Sequence, residues 1–232
     1  MGLTRQIAAI GRWPAGMGLA SWRYLWRTAP MHRVDQRGTA DDVGPLLPDD
    51  LVDQRVQSVR DGAGPLFHRR FGVRIEGSSM TPEQLIAIIA ENPNRAAPVE
   101  VAVFHKTRGD EGPLRVADEY RVRMPGPWDG PVRVVDRSPT SFRLATLRGH
   151  LEAGQIEFRA MQEDVALRFE IESWARSGDR LSELLYDRIR LAKEMQLHMW
   201  THFCERICRL AGGRIQGGVQ VITRRLAESP GG

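Results

Sequence analysis

The chain has only two cysteines in 232 residues, Cys204 and Cys208, four positions apart in a helix-compatible stretch. One helical turn is poor geometry for a disulfide, so the spacing predicts reduced thiols and a cytoplasmic protein. Long apolar runs are missing as well. No stretch approaches the roughly 20 apolar residues a membrane-spanning helix requires, and Ile7-Ala-Ala-Ile10 is too short for the core of a secretory signal. The sequence also lacks a Gly-x-Ser-x-Gly elbow, a phosphate-binding loop, a dinucleotide glycine fingerprint and a Cys-x-x-Cys pair. No internal repeat is present. No cofactor and no metal are expected on these grounds.

Acidic residues are absent from the first 34 positions, which hold Arg5, Arg12, Arg23, Arg27 and Arg33. The net charge of +4 therefore belongs to this segment, because the other 28 basic residues face 29 acids. The near-neutral remainder argues against a nucleic-acid partner despite the basic isoelectric point. From Pro14 to Arg27 a helix would set Trp22, Leu25 and Trp26 against Arg23 and Arg27. Such a helix over residues 12–28 suits an anionic membrane surface or a protein partner, or packs across its own domain. The expected location is cytoplasmic, with peripheral membrane contact as the role of this segment.

Residues 35–64, rich in Asp, Gly and Pro, are expected to be an acidic linker interrupted by a helix-compatible piece from Leu51 to Arg60. The domain proper is placed at 65–212, with 213–232 as a flexible tail containing Gly217-Gly218. Phe71, Val73 and Ile75 alternate with Arg70, Arg74 and Glu76, which predicts a strand over 66–76. Ser79-Met-Thr81-Pro82 opens a helix that Asn92-Pro93 stops. Strands follow at 99–104, 116–124, 132–135, 142–147, 156–161 and 165–171. In the last, Leu167, Phe169 and Ile171 oppose Arg168, Glu170 and Glu172, the pattern of a sheet with one wet face. A long helix then begins near Asp179 and ends at Gly212-Gly213. Its apolar stripe holds Met195, Met199, Phe203 and Leu210, with Thr201 and Glu205 opposite. At 1.5 Å per residue it is roughly 50 Å long and needs an extended surface to cover it. The fold class expected is α+β, an antiparallel curved sheet wrapped on a long C-terminal helix, with an N-terminal helical extension.

Strand, helix, meander and long helix is an order that resembles the helix-grip fold of START-like and Bet v 1-like domains. One short helix is legible after the first strand where that fold usually has two. Within residues 131–211, the run Phe142-Arg-Leu-Ala-Thr-Leu-Arg-Gly149-His150-Leu-Glu152-Ala-Gly154-Gln-Ile-Glu-Phe158, followed by Phe169-Glu-Ile-Glu-Ser173, is similar to the DUF1990 family. Members carry a Gly-His-Pro-Glu-x-Gly-type turn, and Leu151 stands here where proline is usual. The resemblance implies a cavity between sheet and helix and no established activity.

His150 and Glu152, two apart near a turn, point the same way on an extended backbone. A carboxylate beside an imidazole suits a general base, with Asp129 or Tyr120 as an acid. The alternative is a glycine-shaped hairpin whose polar side chains satisfy backbone groups. Trp128 and Trp174 are further pocket candidates, or packing residues. His198 and His202 are spaced for one zinc, but the cysteine pair lies too far round the helix to join them. Three functions are therefore in play. The first is a binder of a small apolar ligand, lined by Tyr120, Phe142, Phe158, Phe169, Met195, Met199 and Phe203. The second is an enzyme using His150 and Glu152 in that cavity. The third is an interaction protein acting through Trp22, Arg23, Trp26 and Arg27.

Overall fold

Phe67, Phe71, Val73 and Ile75 alternate with His68, Arg70, Arg74 and Glu76 in the long strand β2 (Ala63–Glu76). The computed structural model describes residues 30–100, 102–124, 129–178 and 186–226, the last range with side chains from Gln196 onward. Ahead of β2 lies β1 (Met31–Arg37). After it come helix α1 (Pro82–Glu91), β3 (Val103–Arg108), β4 (Glu119–Arg123), β5 (Asp129–Arg137) and β6 (Ser141–Thr146). Strands β7 (Glu152–Glu163) and β8 (Ala166–Ser177), helix α2 (Tyr186–Leu210) and β9 (Arg214–Leu226) complete the described chain. The strands make one curved sheet in the order β1-β9-β2-β8-β7-β6-β5-β4-β3. Every pairing is antiparallel except β1 with β9, so the sheet is mixed rather than purely antiparallel.

The α+β class with a curved sheet and a C-terminal helix is as expected, and its edges differ. Residues 214–226 of the expected flexible tail are strand β9, paired to β2 on one side and β1 on the other. Gly217 and Gly218 sit at φ +71° and +77° and take up a bulge where the β2 register shifts. Beyond the bulge Val219 and Val221 are buried, which seats the strand on the core. The paired glycines are thus a bulge device, not a flexible tether. Residues 31–34 of the expected N-terminal extension belong to β1. The helix expected around Trp22, Arg23, Trp26 and Arg27 lies outside the described residues.

The expected linker is also a packed element. Residues 39–62 strap the convex face of the sheet through short 3-10 turns at Ala40–Asp42, Asp49–Leu51 and Val59–Asp61. Val56 pairs with Leu147 and, with Leu47 and Leu51, covers Val135 and Ala145. Arg55 reaches Glu119 (2.6 Å), and Asp53 reaches Arg133 (2.9 Å). Two strand starts move for local reasons. Asn94 holds both backbone groups of Phe104, so β3 starts at Val103 rather than near 99. Ala117 has φ +71° beside the Asp118 turn, which delays β4 to Glu119.

The convex face is charged without being wet. Glu170 and Glu172 are buried, because Arg159 reaches both at 2.7 Å and Arg168 reaches Glu170 at 2.6 Å. His68 lies between Asp42 (2.9 Å) and Glu172 (2.6 Å) and stacks on Trp174, which accounts for Trp174 as a packing residue. Burial pushes the Glu172 carboxyl up, but the His68 hydrogen bond and the charges of Arg159 and Arg70 outweigh it and hold it at about 2. Asp42 is likewise held below the ordinary carboxylate range, with burial opposed by bonds from Thr39 and His68. Each ring nitrogen of His68 thus meets one of the two carboxylates.

On the concave face Thr81 caps α1 reciprocally with Gln84, and Leu85, Ile86 and Ile89 of that helix are fully buried. A 3-10 turn at Pro93–Arg95 follows where a second short helix is usual. Phe203 of α2 lies in the sheet at 5.4 Å from Phe158 and 6.0 Å from Phe169, and Phe158 stacks on Phe142 at 4.8 Å. Thr201 and Glu205, expected to face water, are buried. Thr201 returns its hydroxyl to the Leu197 carbonyl and meets Met31 of β1, so the added edge strands cover more of α2 than its apolar stripe.

Gly154 has no room for a side chain, since a Cβ there would be driven into the Trp174 carbonyl oxygen. Gly154→Ala is expected to cost at least ~2 kcal/mol and to lower Tm by roughly 5 °C or more in a thermal melt. A second expectation follows from Glu172. Its folded-state pKa is depressed, so its contribution is present above the unfolded value near 4.5 and is lost as pH falls toward 2. The difference is on the order of 3 kcal/mol. Glu172→Gln should be less stable than wild type at pH 7 in urea unfolding, with the gap closing as pH approaches 2. A gap that does not change with pH rejects the assignment.

Candidate functional site

The only charged residue on the inward row of β2 is Arg69, flanked by Phe67 and Phe71, and its guanidinium is nearly buried. Three polar side chains meet there from three elements. Arg69 Nη1 donates to Gln196 Oε1 on α2 (2.9 Å) and approaches Glu152 Oε1 on β7 (3.4 Å). Gln196 Nε2 donates to Glu152 Oε2 at 2.6 Å. This trio divides the space between sheet and helix. On one side is an apolar chamber of about 90 Å³, walled by Phe104, Met124, Leu144, Phe158, Met199 and Trp200, with His150 and Glu152 at its polar end. On the other is an open cleft of about 390 Å³ over β1, β9 and β2. Gln196 touches both.

The turn holding His150 is shaped by Gly149, whose φ of +98° favours glycine, and it delivers His150 and Glu152 to the same end of the chamber. They do not form a side-chain pair. The Glu152 backbone N–H donates to His150 Nδ1 at 2.9 Å, while the Glu152 carboxylate is taken by Gln196 and Arg69. The expected role of Glu152 as orienter of the imidazole is therefore corrected. Its carboxylate is drawn along the sheet by two donors, and the imidazole bonds the backbone instead. Nδ1 also lies 3.1 Å from the Glu152 carbonyl oxygen, and the shorter bond from the Glu152 N–H assigns the ring proton to Nε2, against Gly130, where a Cβ would come within 2.9 Å. Burial pushes the His150 pKa down, against the raising effect of Glu152. The ring is arranged as a neutral donor at the chamber's edge rather than as a free base.

The remaining expected site residues divide. Phe158 and Met199 line the chamber. Phe142, Phe169 and Phe203 are buried in the stacked cluster that fills the space beyond it. Tyr120 is buried on β4 with Lys106 over its ring (5.6 Å), and burial pushes its hydroxyl pKa up; it does not line the chamber. Asp129 is half-exposed at the start of β5, with its carboxylate 3.9 Å from Arg121. Neither Tyr120 nor Asp129 lines the chamber with His150. The side chain of Met195, and Trp128, lie outside the described residues. Gln196 and Arg69 had no place among the expected site residues. The signal for Arg69 is a charge on the apolar row of an alternating strand; for Gln196 there is only its position beside Met199.

His198 and His202 meet edge to face with ring centres 4.3 Å apart, and His202 Nδ1 lies 3.2 Å from Glu205. Among the described residues no three His, Cys, Asp or Glu side chains are grouped as ligands for an ion. Both cysteine thiols are buried, and burial pushes their pKa values up. No helix among the described residues is long and apolar enough to cross a membrane.

The arrangement around His150 predicts its titration. In a two-dimensional NMR titration its ring should titrate below the ordinary histidine value of about 6.5, with Nδ1 unprotonated at pH 7. A midpoint above that value, or an Nδ1–H tautomer, rejects the assignment.

No curated protein matches the chain by sequence. Among solved structures, Ara h 8.0201 is 8% identical, with 62% of this chain and 97% of that one covered at a TM-score of 0.40. Protein Ms6760 from Mycobacterium smegmatis is 12% identical, with 62% and 90% covered at 0.42. The di-domain ARO/CYC StfQ from the steffimycin biosynthetic pathway is 11% identical, with 66% and 53% covered at 0.43. The family described as a domain of unknown function, DUF1990, matches residues 40–209, a span that takes in the strap, both helices and β2 to β8. The match is wider than the 131–211 stretch that carries the resemblance, and on its strength the chain belongs to the DUF1990 family.

Proposed function

We propose that the protein binds a small, largely apolar molecule between the curved sheet and α2. The observation that carries this is the chamber itself: an apolar space with a few converging polar groups, walled by two methionines that adapt their shape at low cost. At about 90 Å³ the chamber alone is smaller than the roughly 300–1,000 Å³ typical of small-molecule sites. The adjoining cleft of about 390 Å³ reaches that size, and the two meet at Gln196. An elongated ligand with its body in the cleft and an apolar end in the chamber matches both spaces.

The enzyme alternative has less support. It needs a base at His150 with Glu152 behind it, and the hydrogen bonds direct those two groups to different partners. Function through residues 12–28 concerns positions outside the described residues.

The test is native mass spectrometry of the protein purified from its own host, together with calorimetric titration of 1-decanol. A co-purifying small molecule and saturable decanol binding are expected. Met199→Trp, which fills the chamber, should weaken decanol binding by about tenfold while leaving the circular dichroism spectrum unchanged. Absence of decanol binding, or undiminished binding by a folded Met199→Trp variant, would falsify the proposal.

A further inference from the structure

Arg69 sits at the base of the cleft with its guanidinium over the Phe67 ring (4.9 Å to the centroid) and its charge only partly answered by an acid. Its side chain is 9% exposed, and Glu152 faces it at 3.4 Å, a long approach for an ion pair. Glu152 makes its short bond, 2.6 Å, to Gln196 instead. Arg69 Nη1 is used, but Nε and Nη2 make no hydrogen bond among the described residues, and neither is sealed away from solvent. A nearly buried guanidinium with an open edge suits an anion, because burial removes water that would otherwise solvate the charge. The Nε/Nη2 edge of an arginine is a planar fork that matches a carboxylate with two parallel bonds.

The surroundings favour an anion too. Arg33 and Arg225 line the same cleft, where the acid among the described lining residues is Asp35, 3.2 Å from Arg33. The floor is apolar, with Phe67, Phe71, Leu197 and Val221. A cationic wall over an apolar floor is the complement of an amphipathic acid. Asp35 and Glu152 lie on either side of Arg69 and would repel a second negative charge, so a monoanion fits better than a phosphate dianion.

We propose that the site takes an amphipathic carboxylic acid, its carboxylate on Arg69 in the cleft and its apolar chain passing Gln196 into the chamber. This rests on the ligand-binding reading of the same space and gives that ligand a chemical class. Glu152 then acts as an internal competitor: it bonds Gln196 beside the passage and faces Arg69, which an incoming carboxylate takes over.

Decanoate, 1-decanol and decyl phosphate are titrated into the full chain by calorimetry at pH 7.5, below their micelle concentrations. Decanoate should bind about tenfold more tightly than decanol, and more tightly than decyl phosphate. Arg69→Gln should abolish the preference for decanoate over decanol, with its circular dichroism spectrum reporting that the variant is folded. Glu152→Gln removes the competing charge and should raise the affinity for decanoate relative to decanol several-fold, an independent test should Arg69→Gln fail to fold. Equal binding of decanoate and decanol, or a preference surviving Arg69→Gln, overturns the carboxylate assignment and leaves the apolar-ligand reading standing. Tighter decyl phosphate binding also overturns it. Failure of all three probes to bind overturns both.

Discussion

The packing of Phe158 against Phe203 and Trp200 decides where this molecule is solid and where it is open. Phe158 projects from the middle of β7, with Phe203 at 5.4 Å and Trp200 at 5.6 Å on successive turns of α2. Each buried aromatic of this kind contributes about 1.5–3 kcal/mol by burial alone, with ring–ring geometry adding to it. Phe142 and Phe169 close the cluster from β6 and β8. The C-terminal half of α2 is thereby fastened to the sheet, and Cys204, Ile207 and Cys208 are buried along it. Among the described residues, space remains near Gln196, where the apolar packing gives way to Arg69, Glu152 and Gln196.

A sheet held this way on its concave face still has a convex face to cover. The strap at 39–62 does part of that with Leu47, Leu51 and Val56, and with arginine–carboxylate pairs that lie under or beside it. Buried charges in such a network stabilise little relative to an apolar core of the same shape, but removing one partner strands the others. The network therefore acts mainly to define how the strap sits. Asp42, from the strap, and Glu172, from β8, clamp His68 of β2 between them, and all three must be in place for any one to be satisfied. The family match beginning at residue 40 coincides with the start of that strap.

The His150–Glu152 turn shows how far residue patterns reach. Alternation places both side chains on the inward face, and both do line the chamber. Alternation cannot say what each side chain finds there. Glu152 meets Gln196, 44 positions away, and Arg69, 83 positions away, and those donors outcompete the neighbouring imidazole. The aromatic stripe has the same ambiguity. Phe142, Phe169, Phe203, Phe158 and Met199 share one periodic signature, yet three fill the core and two border a space, because sheet curvature and not periodicity sets the distance to the helix.

Local chemistry determined what depends on neighbours within a few residues. The Thr81-Pro82 start of α1, the alternating rows of β2 and β8, the apolar stripe of α2 and the order of elements all follow from periods of two and 3.6 and from capping. Tertiary structure alone decided what depends on partners far along the chain. In residues 214–226 the glycine pair precedes the short Val-Gln-Val-Ile-Thr run, and the segment becomes a full strand where the open edge of β2 offers unpaired backbone groups. The strap at 39–62 has no periodicity because it follows the contours of a surface formed by other strands. Arg69 is one charge in an apolar row until α2 and β7 bring Gln196 and Glu152 to it, and only then does the row acquire a site.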